Sequence, residues 1–413
     1  MRVLPYRNDM HTAQKKIVIL GAGFAGVYAF LELHKHYHND AAVRVTMVNR
    51  TDYFLFTPLL HEVATGGVSP ENVLYNIHSI LDCCAGNFIQ ADIRHIDLQK
   101  KRVTTSQGDV PYDVLLYALG ASVTFFGLSE TARQRVFPLK TIDDAKLIKT
   151  RLIELFERHE MPKVVVVGGG PTGVEVVAEA REYCDQLTRA FYQGHTTSSS
   201  IHLVHGGARL LPQFHPRLGE RAAHILRGRS IDIIRNDMVV DVTEQDVVLR
   251  SGVQIPANFV LWAAGVAAQY IPTTPHLLRD VKDRIVVTPY LNLSAYPHVF
   301  VAGDAASIAT GIQDTVPMTA QAAVAAGTAA GRNMRAFVEG RALTPFYYYH
   351  KGDLFSLGQW MAGAEIFGFR FFGHLTWWLW RTIYLSQIIG LRNKVNVAVD
   401  WTLNLFLPRD MTK

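Results

Sequence analysis

A chain of 413 residues is too long for one ordinary core and predicts two or three domains; at 49% apolar and 19% charged it is neither disordered nor fibrous. Lys plus Arg number 41 against 36 for Asp plus Glu, a formal charge of +5 without a long basic run, which argues against a nucleic-acid partner. The three cysteines, Cys83, Cys84 and Cys184, form no C-x-x-C pair and no metal quartet and suit a reducing compartment, and the first sixteen residues lack the apolar core of a secretory signal.

In chain order, the apolar run Ile17 to Leu20 predicts a strand. It leads into Gly21-Ala22-Gly23-Phe24-Ala25-Gly26 and then into Val27, Ala29, Phe30 and Leu33 at helical spacing. A second strand, Val43 to Val48, ends in Asn49-Arg50, and a third, Leu115 to Gly120, ends in Ala and Gly. Thr124 to Asp144 reads as a connection, followed by a helix from Ala145 to His159 and a break at Pro162. The first pattern then recurs: strand Val164 to Val167, loop Gly168-Gly169-Gly170-Pro171-Thr172-Gly173, a helix through Glu175 and Ala180, strand Ile201 to Val204 ending in His205, and strand Val260 to Gly265. The two units start 147 residues apart and span 99 and 97 residues from first glycine to last, which predicts a duplicated dinucleotide-binding domain. Val299 to Ala302, followed by Gly303-Asp304 and an Ala-rich helix from about Thr319 to Phe337, comes too late for a domain of its own and is expected to return to the first sheet. The last stretch, Phe346 to Lys413, holds five of the six tryptophans, as expected of a segment that contacts something apolar.

In each glycine loop the first glycine permits a tight turn, the second lets backbone approach a pyrophosphate, and the third lets the helix pack on the strand with its positive end facing phosphate. Two such loops imply transfer between dinucleotides, and a flavin beside a nicotinamide is the common pairing for hydride passage. Asp304 at a strand end suits the ribityl hydroxyls of a flavin, or else it caps the nearby Ala-rich helix. The acid expected to hold a ribose diol is missing twice: Asn49 can still bond a hydroxyl, whereas His205 holds it less firmly and repels a 2′-phosphate less. No cysteine follows Cys184, which counts against a disulfide reductase or sulfide oxidase, and the cysteines read as buried small apolar residues. No metal motif or hydrolase triad is present, so no metal is expected.

With these residues in place, the sequence resembles a type II NADH dehydrogenase, a single-chain, non-proton-pumping NAD(P)H:quinone oxidoreductase. Beyond the glycine loops, the likeness runs through Phe54 to Gly67 (FLFTPLLHEVATGG), Phe137 to Thr141, Leu261 to Val266, Val299 to Asp304, Thr319-Ala320-Gln321, Arg392-Asn393-Lys394 and Asp400-Trp401. It implies an α/β flavoprotein of two dinucleotide-binding (Rossmann-like) domains, the second inserted in the first, plus a C-terminal membrane-associated helical segment. The boundaries expected are an FAD-binding domain at 12–125 and 286–345, an NAD(P)H-binding domain at 126–285 and a membrane-contacting segment at 346–413. FAD is expected on Gly21, Gly23, Gly26, Asn49 and Asp304, and NADH or NADPH on Gly168, Gly170, Gly173 and Glu175, the last near the nicotinamide. Arg50, Thr57, Pro58, Gly120, His205, Gly265 and Gly303 join the cofactor-binding set, and Ala320-Gln321 is expected beside the isoalloxazine at the quinone end. Glu175 and Gln321 are the catalytic candidates. Two positions depart from the family pattern: His205 stands where an acid is usual, and Ala325 where a second glutamine often follows Gln321.

The expected reaction passes a hydride from NAD(P)H to the flavin N5 and two electrons on to a membrane quinone. The alternatives are another pyridine-nucleotide or sulfide flavoprotein of the same fold, or a slow redox-sensing or scaffold flavoprotein. Phe371 to Leu391 is expected to lie on the cytoplasmic face of the cell membrane without crossing it, His374 and Arg381 sharing a stripe towards headgroups and the tryptophans sitting at the acyl boundary. A homodimer interface is the competing use of the same residues.

Overall fold

The computed structural model describes residues 14–81, 86–192, 198–310 and 315–412. Cys83, Cys84 and residues 1–13, on which the expectations about buried cysteines and a signal partly rest, lie outside the described residues.

Taken along the chain, the elements begin with β1 (Lys15–Leu20), α1 (Phe24–Tyr37), β2 (Val43–Asn49), α2 (Leu60–Val63), β3 (Gly86–Gln90), β4 (Val114–Tyr117) and β5 (Phe137–Pro138). Next come α3 (Ile142–Glu157), β6 (Lys163–Val167), α4 (Pro171–Phe191), β7 (Ser200–His205), β8 (Asp232–Arg235) and β9 (Phe259–Trp262). Then follow β10 (Val299–Val301), α5 (Ala320–Val338), β11 (Gly352–Ser356), β12 (Ala362–Ile366), β13 (Phe369–Gly373), α6 (His374–Gln387) and α7 (Leu391–Leu403).

Two compact units form. The first gathers residues up to Phe54, Asn76–Ala121 and Ala267–Tyr349; the second gathers Leu55–Tyr75, Ser122–Val266 and the chain from His350 on. The sheet of the first unit runs β10-β4-β1-β2-β3, all parallel. Ile17 to Leu20 are at most 1% exposed, as befits a strand covered on both faces, which explains why the sequence here is an unbroken apolar run rather than an alternation. As expected, the late strand returns: β10 pairs with β4, Val299 opposite Leu115. The Ala-rich composition of α5 has a packing cause. It lies so close to α1 that a Cβ on Gly327 would come within 2.2 Å of the Ala25 carbonyl oxygen, and Arg332 donates to Glu32 across the pair at 3.1 Å.

The second unit repeats the arrangement as β5-β9-β6-β7-β8, again parallel. Helix α3 starts three residues earlier than expected because Thr141 and Asp144 form a reciprocal cap, each side chain bonded to the other's backbone N–H. Cys184 is fully buried on α4, as expected of a small apolar residue.

The C-terminal stretch departs from its expectation. Phe371 to Leu391 is not one helix: Phe369–Gly373 forms the edge strand of an antiparallel β11-β12-β13 meander, and Gly373, at φ +115°, turns the chain into α6. Gly390, at φ +84°, separates α6 from α7. Only glycine reaches such angles without strain, so the break is written in the sequence at two positions. Arg381 does not face outward with His374 either. Its guanidinium stacks over Trp377 at 3.7 Å and Trp401 at 4.9 Å and donates to the Trp401 carbonyl at 3.3 Å, while Trp377 and Trp380 are buried. Among the described residues no helix is long and apolar enough to cross a membrane.

Candidate active site

In the first unit three sequence-distant segments converge. Gly21 sits at φ +98°, where a Cβ would strike the Ala118 carbonyl oxygen at 2.4 Å; at Gly26 a Cβ would strike Gly21 at 1.9 Å; at Gly23 nothing lies within 4 Å. Turn, helix contact and open backbone are thus divided among the three glycines as the motif requires. Asn49 at the end of β2 accepts the Ala22 N–H at 3.1 Å and donates to the Thr51 carbonyl at 2.9 Å, so its amide shapes the loop from behind. Gly303, at φ +71°, packs on Ala25, a Cβ there meeting the Ala25 Cβ at 2.9 Å, which brings Asp304 to the start of α1. The cap of α5 is Thr319, whose hydroxyl accepts the Ala322 N–H at 3.3 Å, so Asp304 is not needed for that task. Ala320 and Gln321 form the first turn of α5, and the Gln321 Oε1 accepts a hydrogen bond from the Tyr348 hydroxyl at 2.8 Å. Arg50 pairs with Asp92 at 2.8 Å on the exposed surface, and Gly120 takes φ +70° just after β4.

The second unit carries the second loop. Gly168, at φ +119°, would clash with Ala263 at 2.3 Å and Gly173 with Gly168 at 1.8 Å if either bore a Cβ, and Gly170 is open. His205 closes over this loop: its Nδ1 accepts the Gly169 N–H at 3.1 Å, and a Cβ on Gly169 would meet the ring at 2.6 Å. Burial holds its imidazole below the ordinary pKa, so the ring is neutral with Nδ1 as acceptor. Gly265, at φ +154°, faces the Phe126 ring, and Thr57 and Pro58 sit in a short 3₁₀ turn (Thr57–Leu59) leading into α2.

Glu175, in the second turn of α4, is buried beneath β11 and accepts the Ser356 N–H at 3.1 Å. Burial raises its pKa to about 8, against the help of the Ser356 amide, and the nearby Glu179 and Glu62 raise it further. The buried His61 imidazole on α2 has its Nδ1 3.9 Å from the Glu175 carboxyl. Burial drives the His61 pKa down to about 4, so at neutral pH both groups are uncharged and this is no ion pair. Glu62, pushed up to about 7 by burial and Glu179, accepts the indole N–H of Trp401. Arg409 then threads between Glu179 and Glu182 and bonds both. A cavity of about 20 Å³, room for one water molecule, is walled by Glu62, Glu179, Arg381 and Arg409. His61, Glu62 and Glu179 bring ligand-type atoms within 4.8 Å of one another, but Glu62 is bonded to Trp401, Glu179 to Arg409, and the Arg409 cation stands where a metal would be repelled.

Glu175 is a candidate from the sequence alone; His61, Glu62, Glu179 and Arg409 emerge as site residues only in the fold. One signal was present: His61 and Glu62 interrupt an apolar run, and such residues stay buried only with partners. The Glu175 shift has a measurable consequence. Its folded pKa of about 8 lies above the ordinary 4.5, so the native chain keeps a proton that the unfolded chain gives up. The stabilisation is complete below the unfolded value and lost as pH rises through the folded one. Thermal melts across this range are expected to show the Glu175→Gln variant gaining on the parent as pH rises; a constant difference would place the Glu175 pKa at its ordinary value.

Residues 15–327 match the family model for pyridine nucleotide-disulphide oxidoreductases, and residues 350–410 match that for the NDH2 C-terminal domain. The type II NADH:quinone oxidoreductase Ndh of Mycobacterium tuberculosis is 29% identical over 426 residues, covering 95% of this chain and 89% of that protein. The type II NADH:quinone oxidoreductase of Staphylococcus aureus (strain NCTC 8325 / PS 47) is 29% identical over 368 residues, covering 86% of this chain and 90% of that one. The solved structure of Plasmodium falciparum NDH2 in complex with NADH superposes with a TM-score of 0.87 at 20% identity, over 97% of this chain and all of that one. The chain therefore belongs to the pyridine nucleotide-disulphide oxidoreductase family, as one of its type II NADH dehydrogenases.

Proposed function

We propose that this oxidoreductase, of the NADH:quinone class, keeps FAD as its resident carrier on the first unit and receives NADH at the second glycine loop. The observation that carries the reading is the pair of open loops: at Gly23 and Gly170 nothing lies within 4 Å of where a side chain would begin, while Gly21, Gly26, Gly168 and Gly173 are locked by contacts under 2.5 Å. A pyrophosphate needs such backbone approach beside a helix N-terminus, so the residues present fit both nucleotides. Bound FAD supplies the two-electron carrier that joins NADH oxidation to quinone reduction.

The residues of the chain do the rest. Gly21, Gly23 and Gly26 hold the FAD pyrophosphate, Asp304 accepts from ribityl hydroxyls, and Asn49 and Arg50 border the ribose. Gly120 and Gly303 complete the walls. The first turn of α5, Ala320-Gln321, presents N–H groups with no partner inside the helix, a positive end suited to an electron-rich ring. Gly168, Gly170 and Gly173 bind the NADH pyrophosphate, and Gly265 gives the nicotinamide end its backbone turn. His205 serves mainly as a brace for Gly169, which leaves discrimination against NADPH weak. Glu175, held protonated and without charge, borders the nicotinamide.

Quinone arrives from a membrane. Supporting this are the apolar side chains on α6 and α7, where Leu375 is 87% exposed, Leu391 78% and Phe406, just beyond α7, 81%. We assign the attachment to the cytoplasmic side, where NADH is made, and leave a homodimer as the second use of the same surface. Purified protein is expected to carry about one non-covalent FAD per chain, to bleach with NADH and to recolour with quinone. A folded preparation that takes up no flavin would end this reading.

A further inference from the structure

We propose that Tyr348 is a positioning residue that fixes which end of the Gln321 side-chain amide meets an incoming quinone. The inference rests on the reading that Gln321 stands at the quinone end. Three tyrosines follow one another at 347–349; Tyr347 and Tyr349 are exposed, and Tyr348 turns in, half-buried, to donate its hydroxyl proton to the Gln321 Oε1 at 2.8 Å. The Gln321 nitrogen has no hydrogen bond to any described residue.

A primary amide has two ends of opposite character: the carbonyl only accepts and the NH₂ only donates. An oxidised quinone offers carbonyl oxygens, which only accept. Its reduced product offers hydroxyls, which also donate. With a freely rotating Gln321, quinone and quinol would each find a matching end. Tyr348 removes that symmetry. A phenol is a better donor than acceptor, so its O–H selects the amide carbonyl and leaves the NH₂ directed at the substrate. The quinone carbonyl then gains a donor, and the quinol loses the acceptor it would have used. Tyr348 thereby favours substrate over product at the same contact. Ala325, one turn along α5 from Gln321, offers no second amide, so the orientation of this single amide decides the polarity of the contact.

The test is calorimetric titration of the FAD-loaded protein with a soluble short-chain benzoquinone and, under anaerobic conditions, with its hydroquinone. Tyr348→Phe is expected to weaken quinone binding about three- to tenfold and to leave hydroquinone binding equal or tighter, while flavin reduction by NADH keeps its rate. In turnover the same variant raises the quinone KM more than it lowers kcat. Gln321→Glu, presenting only acceptors beside an intact Tyr348, is expected to lose quinone binding by a larger factor than hydroquinone binding. Equal losses for both ligands in Tyr348→Phe, or quinone binding as in the parent in either Tyr348→Phe or Gln321→Glu, would overturn the proposal. Gln321→Leu separates this from the underlying reading: if it leaves both affinities untouched, Gln321 is not at the quinone and the reading itself fails. If Gln321→Leu weakens quinone and Tyr348→Phe does not, the reading stands and the role of Tyr348 falls.

Discussion

Arg409→Met is expected to destabilise the second unit by about 3–5 kcal/mol, the cost of leaving buried charges without their partner. The Arg409 side chain is 14% exposed and Glu179 only 4%; one guanidinium serves Glu179, Glu182 and the Thr65 hydroxyl together. Its pKa is driven up by the two carboxylates despite burial, the mark of a cation held by its surroundings. Methionine matches the aliphatic stem, so packing survives and the loss reports on charge. Urea unfolding followed by tryptophan fluorescence measures it, and adding Glu179→Gln should return part of the loss, since a stranded carboxylate is then removed. A deficit below about 1 kcal/mol would mean that water reaches the cluster and screens it.

The second large effect concerns lipid. Leu391, Val395, Val399 and Leu403 recur every four residues along α7 and are 78%, 52%, 48% and 48% exposed, one continuous line of apolar side chains on a helix whose opposite side buries Val397 and Trp401. Changing Leu391, Val395 and Val399 together to Glu removes about 1–2 kcal/mol of apolar burial at each position and adds repulsion from acidic headgroups, so partition into anionic vesicles should fall about a hundredfold or more. Co-sedimentation with vesicles reads this directly, while FAD content and NADH-driven flavin reduction remain unchanged. Vesicle binding that survives the triple substitution would assign this line to a protein contact. Deleting residues 346–413 would be a poorer experiment, because Ser356, Trp380, Trp401 and Arg409 within that stretch all pack inside the second unit.

The sequence made the two sheets legible, because a strand covered on both faces is an unbroken apolar run and a pyrophosphate loop has glycines at fixed offsets. The return of Val299 to the first sheet followed from its position alone. The C-terminal stretch misled for a physical reason. Alternating Phe369, Phe371 and helical Trp377, Trp380 both produce aromatic density, and composition does not distinguish period two from period 3.6 over so short a window. The inward turn of Arg381 depends in part on Trp377, one turn earlier on the same helix, but also on Trp401 and on Glu62 and Glu179, the last two some two to three hundred residues earlier, so a local window contains only part of its cause. The same holds for Tyr348: nothing in a run of three tyrosines says that the middle one reaches Gln321.

The strand order carries a consequence for synthesis. β4 leaves the ribosome at residue 117 and its edge partner β10 only at residue 301, so the first sheet waits with an open edge while the intervening chain is made. The second unit waits longer still, since Glu175 acquires its Ser356 amide and Glu179 its Arg409 only once residues 356 and 409 have been made. Neither unit can close as an independent nascent domain, and a ribosome stalled before residue 299 would present an unpaired parallel strand, an aggregation-prone state calling for chaperone cover during translation.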